Sequence, residues 1–441
     1  MQIDITDERQ LNSLLKMTDR LLIYRNIIDE KIYIHYLALI DSIVQKDKEE
    51  ILNNYFLLCS NLLEYNQEQS GSFPADPWQN FILNFILSDE NILTQKIASK
   101  NITQKRTPLR EALKQDLTAL EKLFHLNLKS LADYICSRRI DSREMMFLPD
   151  WSQSEDDSWN YSREKFKKKM STSSDWSEMT NELISYFQKN GTGILNSYQA
   201  FHWEQGLKGI KNIDSITLDQ IVGYEKQKEK IIDNTEKLIK GYKANNILLY
   251  GARGTGKSST VKAILNRYWD QGLRLIEVNK HQFRKFPDIC DRLENSNLSF
   301  VIFIDDLSFT ENETGYKELK ATLEGKTKVL PANVVLYTTS NRKHLVKESY
   351  SDDSNELRKK DSVQEKLSLA DRFGITLLYS SPTQKEYFAI VKHLAGQRKL
   401  KIAEKELLKK AKQWALWQNG RSGRTARQFI DNLEAELSLD K

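Results

Sequence analysis

The chain has 441 residues, 39% of them hydrophobic and 29% charged, and its 66 Lys plus Arg against 61 Asp plus Glu leave a formal net charge of +5. This is a water-soluble globular composition with length for about three domains, and its charge is too small for the whole chain to act as a nucleic-acid or membrane binder. Cys59, Cys136 and Cys290 are too scattered for a disulfide framework or zinc cluster, no apolar run approaches the ~20 residues of a membrane span, and the start Met1 to Glu8 lacks a basic-then-apolar leader, so a reduced, cytoplasmic protein without a membrane role is expected.

Glycine divides the chain, because Gly71 is the only one before Gly191. Few breakers predict long helices over residues 1–148. The clearest signal is the stripe Leu113, Leu117, Leu120, Phe124, Leu128, Leu131 and Ile135, spaced by threes and fours. Pro108 after Thr107 marks its start. An all-helical first domain is expected. Residues 149–200 read as a linker and connecting helix: Ser, Asp and Lys dominate the stretch Pro149 to Asp175, with Trp151 and Trp159 in it and Trp176 just beyond. The tryptophans suit a linker anchored on a surface, and a tether for a partner is the other reading.

From residue 201 to 382 short apolar runs alternate with helical patterns. The runs are Asn246–Tyr250, Leu273–Val278, Phe300–Asp305, Asn333–Thr338 and Ile375–Tyr379. Unbroken apolar strands with helices between them are what a doubly covered parallel sheet requires. Residues 383–441 return to helix, with one stripe at Leu407, Ala411, Trp414 and Ala415 and another at Ala426, Phe429, Ile430, Leu433 and Leu437. The expected fold is a P-loop α/β core with a C-terminal helical lid and a separate helical N-terminal domain.

Gly251-Ala252-Arg253-Gly254-Thr255-Gly256-Lys257-Ser258 fits G-x-x-x-x-G-K-[ST] at every fixed position. It follows a strand run and precedes a helix with Val261, Ile264, Leu265 and Tyr268 on one face. Glycines let successive backbone N–H groups turn inward onto phosphate oxygens, and the helix N-terminus adds its partial positive charge. Lys257 supplies a point charge to the β- and γ-phosphates, Ser258 can hold Mg²⁺, and Ser259 ends the nucleotide-binding stretch. ATP and Mg²⁺ are the expected ligands.

The third run ends in Asp305-Asp306. One carboxylate at that strand tip suits the Mg²⁺ shell, and the second can polarise an attacking water. Simple solvation of a strand end is the alternative. Asn341 ends the fourth run, either to orient water or to form a turn. Arg372, before the fifth run, is either an arginine finger or the partner of Asp371 in a surface ion pair. Arg424 opens the last helix and can reach a nucleotide from there, or simply be a solvated helix start.

These strings, namely Ile221-Val222-Gly223-Tyr224-Glu225, Gly251 to Ser259, Gly272 to Val278, Asp305 to Phe309, Tyr337 to Leu345 and Leu367 to Gly374, resemble the AAA+ ATPase superfamily. They are similar, more closely, to a bacterial family of AAA+ ATP-binding proteins without an assigned function, over roughly residues 201–430. The resemblance implies a five-stranded core followed by a lid. It implies that Ile221, Val222 and Tyr224 flank adenine, that Asn341 is a first sensor and Arg424 a second, and that Arg372 acts on a neighbouring subunit of a homo-oligomer. Most AAA+ members carry Asp-Glu where this chain has Asp305-Asp306, so a slow ATPase or a switch-like binder stays open.

Three functions follow as expectations. The first is an ATPase that remodels a protein partner, bound through the helical front. The second is a nucleic-acid-linked ATPase, a helicase loader or transposition helper. It draws on ten basic residues against Glu404 and Glu406 between Arg398 and Arg427, an excess able to track phosphates, although a solvated helix face explains it too. The third is a nucleotide-gated scaffold with little turnover.

Overall fold

Several helix starts are written locally, by an acceptor side chain placed just before a helical run. The Asp76 carboxylate accepts from the Gln79 N–H (3.1 Å) with Pro77 in the first helical position, and Asn127 accepts from the Ser130 N–H (3.0 Å). Each satisfies a backbone donor that the first helical turn leaves unpaired. The structure, a computed structural model, describes residues 7–68, 76–98, 107–138, 140, 161–309, 315–324, 330–343, 345, 370–418 and 420–439. It divides into two units, Met1–Ser197 and Tyr198–Lys441. No helix among the described residues is long and apolar enough to cross a membrane.

The first unit is helical: α1 (Glu8–Thr18), α2 (Lys31–Gln45), α3 (Lys48–Glu68), α4 (Pro77–Ser88), α5 (Ile92–Ala98), α6 (Pro108–His125), α7 (Leu128–Ser137), α8 (Tyr161–Thr172), α9 (Thr180–Asn190) and α10 (Ile194–Ser197). All seven residues of the expected Leu113-to-Ile135 stripe are buried, but on two helices rather than one. Leu126 leaves helical torsions, and Asn127 then caps a new start, an outcome that the apolar spacing alone does not encode. Trp151 and Trp159 lie outside the described residues. Trp176 is buried in the core of this unit, its indole N–H donating to the Met170 carbonyl (2.9 Å). Arg163 of α8 reaches the Ser88 hydroxyl on α4 (2.8 Å).

Two polar anchors hold the core. The Trp78 ring stacks on Tyr36, with centroids 3.7 Å apart, and its indole N–H donates to the Leu123 carbonyl (2.8 Å). Asp116 of α6, fully buried, accepts from the backbone N–H groups of Leu22 (3.1 Å), Ile23 (2.7 Å) and Tyr24 (3.0 Å). Burial pushes this carboxyl above its ordinary range, and the three N–H groups pull it back.

The second unit carries a seven-stranded sheet: β1 (Ala200–Trp203), β2 (Leu207–Gly209), β3 (Ile247–Gly251), β4 (Leu273–Glu277), β5 (Ser299–Ile304), β6 (Val334–Ser340) and β7 (Ile375–Tyr379). Its order is β2-β1-β4-β5-β6-β3-β7. Among the described residues only the β1–β2 pairing is antiparallel. Five strands lie at the five apolar runs, within a residue or two at each end. The sheet is larger than the expected five-stranded core, because β1 and β2 extend it beyond β4. These two strands have four and three residues, too few for an alternating pattern to show. Every residue of β5 and β6 is buried, as strands covered on both faces must be.

Around the sheet lie α11 (Glu225–Ile239), α12 (Lys257–Tyr268), α13 (Phe286–Glu294) and α14 (Gly315–Leu323). The lid is α15 (Gln384–Gln397), α16 (Glu404–Trp417) and α17 (Gly423–Leu439), closed over a core that includes Tyr387, Val391, Leu407, Ala411, Phe429 and Leu433. At the outer edge of β7, the Gln227 side chain donates to the Leu378 carbonyl (2.8 Å) and the Tyr224 hydroxyl to the Ser380 carbonyl (2.6 Å). Asp116→Ala strands three backbone donors, and we expect it to lower the stability of the first unit by about 3 kcal/mol. A lower urea midpoint for the unfolding transition of that unit checks this, and an unchanged midpoint refutes it.

Candidate functional site

In a parallel sheet, the loops that follow the strands gather at one end, and a crevice opens where the strand order reverses. Here β3 precedes β4, β5 and β6 in sequence, yet it lies between β6 and β7. The loop after β3 therefore sits beside the ends of β6 and β5. In sequence, β4 separates the phosphate loop from the acid-bearing strand, whereas in space it is β6 that stands between them.

The loop Gly251 to Gly256 runs from β3 into α12. Gly251 (φ 133°), Gly254 (φ 72°) and Gly256 (φ 93°) all take torsions that favour glycine. A Cβ on Gly251 would meet the Tyr379 carbonyl oxygen at 2.1 Å, and one on Gly254 would meet the Ser422 hydroxyl oxygen at 2.8 Å. Lys257 is buried, and its Nζ donates to the carbonyls of Gly251 (3.0 Å) and Ala252 (2.7 Å). Burial pushes its ammonium below the ordinary lysine value, against the pull of Asp305 and Asp306.

Across the crevice, Asp305 Oδ1 accepts from the Ser258 hydroxyl (2.6 Å) and from Thr339 Oγ1 (2.5 Å). The Asp306 N–H donates to Thr339 Oγ1 (2.9 Å), and Asn341 Nδ2 donates to Asp306 Oδ1 (2.6 Å). Asp306 holds φ 49°, a left-handed backbone that costs a non-glycine residue about 1–2 kcal/mol. Sequence reasoning chose Asn341 at the tip of β6 and passed over Thr339. The signal was period two, since residues i and i−2 of a strand share a face.

A cavity of ≈ 640 Å³ joins these groups to the lid. Arg253, Gly254, Thr255, Gly256, Lys257, Ser258 and Ser259 of the loop line it together with Asp305, Asp306, Thr339 and Asn341, as do Ile221, Val222 and Tyr224. Ile221 belongs to the sheet core and Val222 packs on the lid core, so two consecutive residues bridge the parts. Tyr224 (φ 61°) stacks on Tyr379, with centroids 4.7 Å apart. From the lid come Ile390, Leu394, Arg424 and Arg427. Arg427 had no site role in the sequence reading; it lies three residues along α17 from Arg424, one helical turn on. The Arg424 N–H donates to the Gly254 carbonyl (3.1 Å), which seats the start of α17 on the loop.

Arg372 is not among the cavity residues. It pairs with Glu324 at 3.1 Å, so the surface ion pair that was the alternative to a finger is made with an acid just beyond the end of α14 and not with Asp371. Among the described residues, no three His, Cys, Asp or Glu side chains gather as a metal cluster.

A glycine-rich loop leaving β3 of a mostly parallel sheet, with two acids just after β5, a polar tip after β6 and lid helices lining the same cavity, is a P-loop arrangement. The family described as "Protein of unknown function (DUF815)" matches residues 196–437, and the chain belongs to it. No curated protein matches the sequence. Among solved structures, two mutants of Thermotoga maritima RuvB are 20% identical over 51% of this chain and 66% of theirs, with TM-scores of 0.36 and 0.37. This chain thus spans somewhat less than two thirds of the length of those two structures. A Thermotoga maritima structure titled as the RuvB Holliday junction branch migration motor is 17% identical over 49% of this chain and 72% of its own, with a TM-score of 0.31.

Gly254→Ala adds a Cβ against Ser422 and Arg424 at a left-handed torsion. We expect the lid's hold on the loop to weaken, with amide hydrogen exchange at Arg424 rising by roughly tenfold. Exchange at the parental rate refutes the contact.

Proposed function

We propose that the chain is a Mg²⁺-dependent ATPase that couples hydrolysis to movement of its lid and to a macromolecular partner. The observation that carries this reading is the glycine cradle facing the Asp305–Asp306 carboxylates across the cavity. The positive-φ glycines suit a loop whose N–H groups wrap a phosphate chain, and α12 begins at that loop. Lys257, lowered by burial without an anion, suits the β- and γ-phosphates, whose charge would restore its own. Ile221, Val222 and Tyr224 with Ile390 and Leu394 give the apolar walls suited to adenine.

The Ser258 hydroxyl and Asp305 carboxylate, 2.6 Å apart, are the oxygen donors that Mg²⁺ favours. When bound there, Mg²⁺ supplies charge neutralisation for the phosphate oxygens. Thr339 fixes Asp305 and the Asp306 backbone. Asp306 is the group to accept a proton from the attacking water, and Asn341 orients that carboxylate. Arg424 and Arg427 extend the positive charge from the lid side. We read Arg372, turned to Glu324 within its own chain, as the finger offered to the cavity of a neighbouring copy.

We expect Lys257→Ala to lose binding of a fluorescent ATP analogue with helix content preserved by circular dichroism; retained affinity refutes the phosphate-loop reading. Asp306→Asn should bind the analogue and hydrolyse ATP at least ~100-fold more slowly, in the range of general-base contributions. Hydrolysis at the parental rate would place the base elsewhere. Stimulation of turnover by DNA would favour a nucleic-acid-linked ATPase over a protein remodeller, and binding without turnover a scaffold.

Specific activity should rise with protein concentration, and Arg372→Ala should bind ATP yet turn over slowly. Mixing Arg372→Ala with Asp306→Asn should recover part of the activity, since a mixed interface pairs an intact finger with an intact base. A monomer of concentration-independent activity, indifferent to Arg372→Ala, contradicts the trans finger.

A further inference from the structure

The lid holds a second concavity that shares no residue with the phosphate-loop cavity. It lies between α15 and the end of α16, with a volume of ≈ 360 Å³. Tyr387, Phe388, Ala415 and Leu416 give it apolar walls, and Lys412 and Arg421 stand on its rim. Leu416 is 69% exposed and the adjoining Trp417 79%. Large apolar side chains this open, side by side and next to a hollow, are characteristic of contact surfaces.

The groove is charged as well as apolar. Of the ten basic residues between Arg398 and Arg427, Arg398 pairs with Asp431 and Glu434 and Lys410 with Glu436, and of the others it is Lys412 and Arg421 that line this groove. Lys412 and Arg421 are exposed, and no ion pair engages either among the described residues. Among the described residues no carboxylate lines the groove. An apolar hollow with two free cations on its rim is complementary to an apolar side chain flanked by acids. A nucleic-acid strand asks for something else, a track of cations along successive phosphates with open aromatic faces, whereas this groove is a hollow walled by Tyr387, Phe388, Ala415 and Leu416.

We propose that this groove docks an acidic peptide segment of a partner protein. A large apolar side chain enters against Phe388 and Leu416, and carboxylates on either side of it meet Lys412 and Arg421. The proposal is independent of the nucleotide reading, and its test needs no nucleotide.

The probe is a fluorescein-labelled peptide of Asp and Glu residues around one Phe and one Leu, set against a counterpart with every acid replaced by Lys. Anisotropy is measured with the full chain at two salt concentrations. The acidic peptide should bind saturably, weaken with salt, and lose about tenfold or more in affinity in Lys412→Glu/Arg421→Glu and, separately, in Leu416→Asp. Circular dichroism of the variants should match the parent. Lys409→Glu, outside the groove lining, serves as the control and should change affinity little. Absence of saturable binding, equal binding of the two peptides, or indifference to both groove variants overturns the proposal. So does tighter binding of a single-stranded oligonucleotide lost through the same residues, which would make the face a nucleic-acid surface. Self-association abolished by Trp417→Ala, with no effect of peptide on it, would make the face a contact between copies and likewise overturn it.

Discussion

The site is organised by one carboxylate oxygen. Asp305 Oδ1 accepts from Ser258 at the start of α12 and from Thr339 on β6, while Asp305 itself directly follows β5. Three elements far apart in sequence are thereby fixed at one point. Thr339 passes the constraint on, because its oxygen also accepts from the Asp306 N–H. The left-handed backbone of Asp306 is held in place by this bond and by Asn341 on its side chain. Such strain persists only where the surroundings over-determine it, and here the surroundings are the tips of neighbouring parallel strands. Ligand contacts made at the same oxygen would necessarily be felt in α12, β5 and β6 together.

The lid enters the same arrangement through backbone rather than side chain. The Gly254 carbonyl accepts from the Arg424 N–H, and a glycine is required at 254 by torsion and by the closeness of Ser422. Arg421, on the rim of the second groove, is one residue from Ser422. The two lid concavities are therefore joined by a few residues of main chain, although they share no lining residue.

Much of this was legible in the sequence because it depends on local chemistry. The phosphate loop fixes its residues by motif, and five apolar runs give five strands because a strand covered on both faces must be apolar throughout. What escaped depends on tertiary placement. The β1–β2 hairpin is too short to carry a pattern. The α6–α7 break rests on Asn127, whose capping role competes with an apolar spacing that continues through it. Thr339 matters only because β6 stands between β5 and β3 in space, an order that no run of residues spells out. Arg372 read from sequence either as a finger or as the partner of Asp371, and the acid it meets in the structure is Glu324, forty-eight positions earlier. The polar anchors of the first unit, Asp116 and Trp78, were likewise hidden, since their partners are backbone groups that a sequence does not single out.

The outer edge of β7 has a consequence for how copies of this chain can meet. A free strand edge is a template for adding another strand. Here the outward carbonyls of Leu378 and Ser380 are already taken by Gln227 and Tyr224. At the opposite end, the sheet finishes in β2, three residues long. Among the described residues neither border offers a long open ladder, so sheet extension would find little template at either margin. Any contact between copies would then fall to side-chain surfaces, which can part and re-form without unzipping the fold.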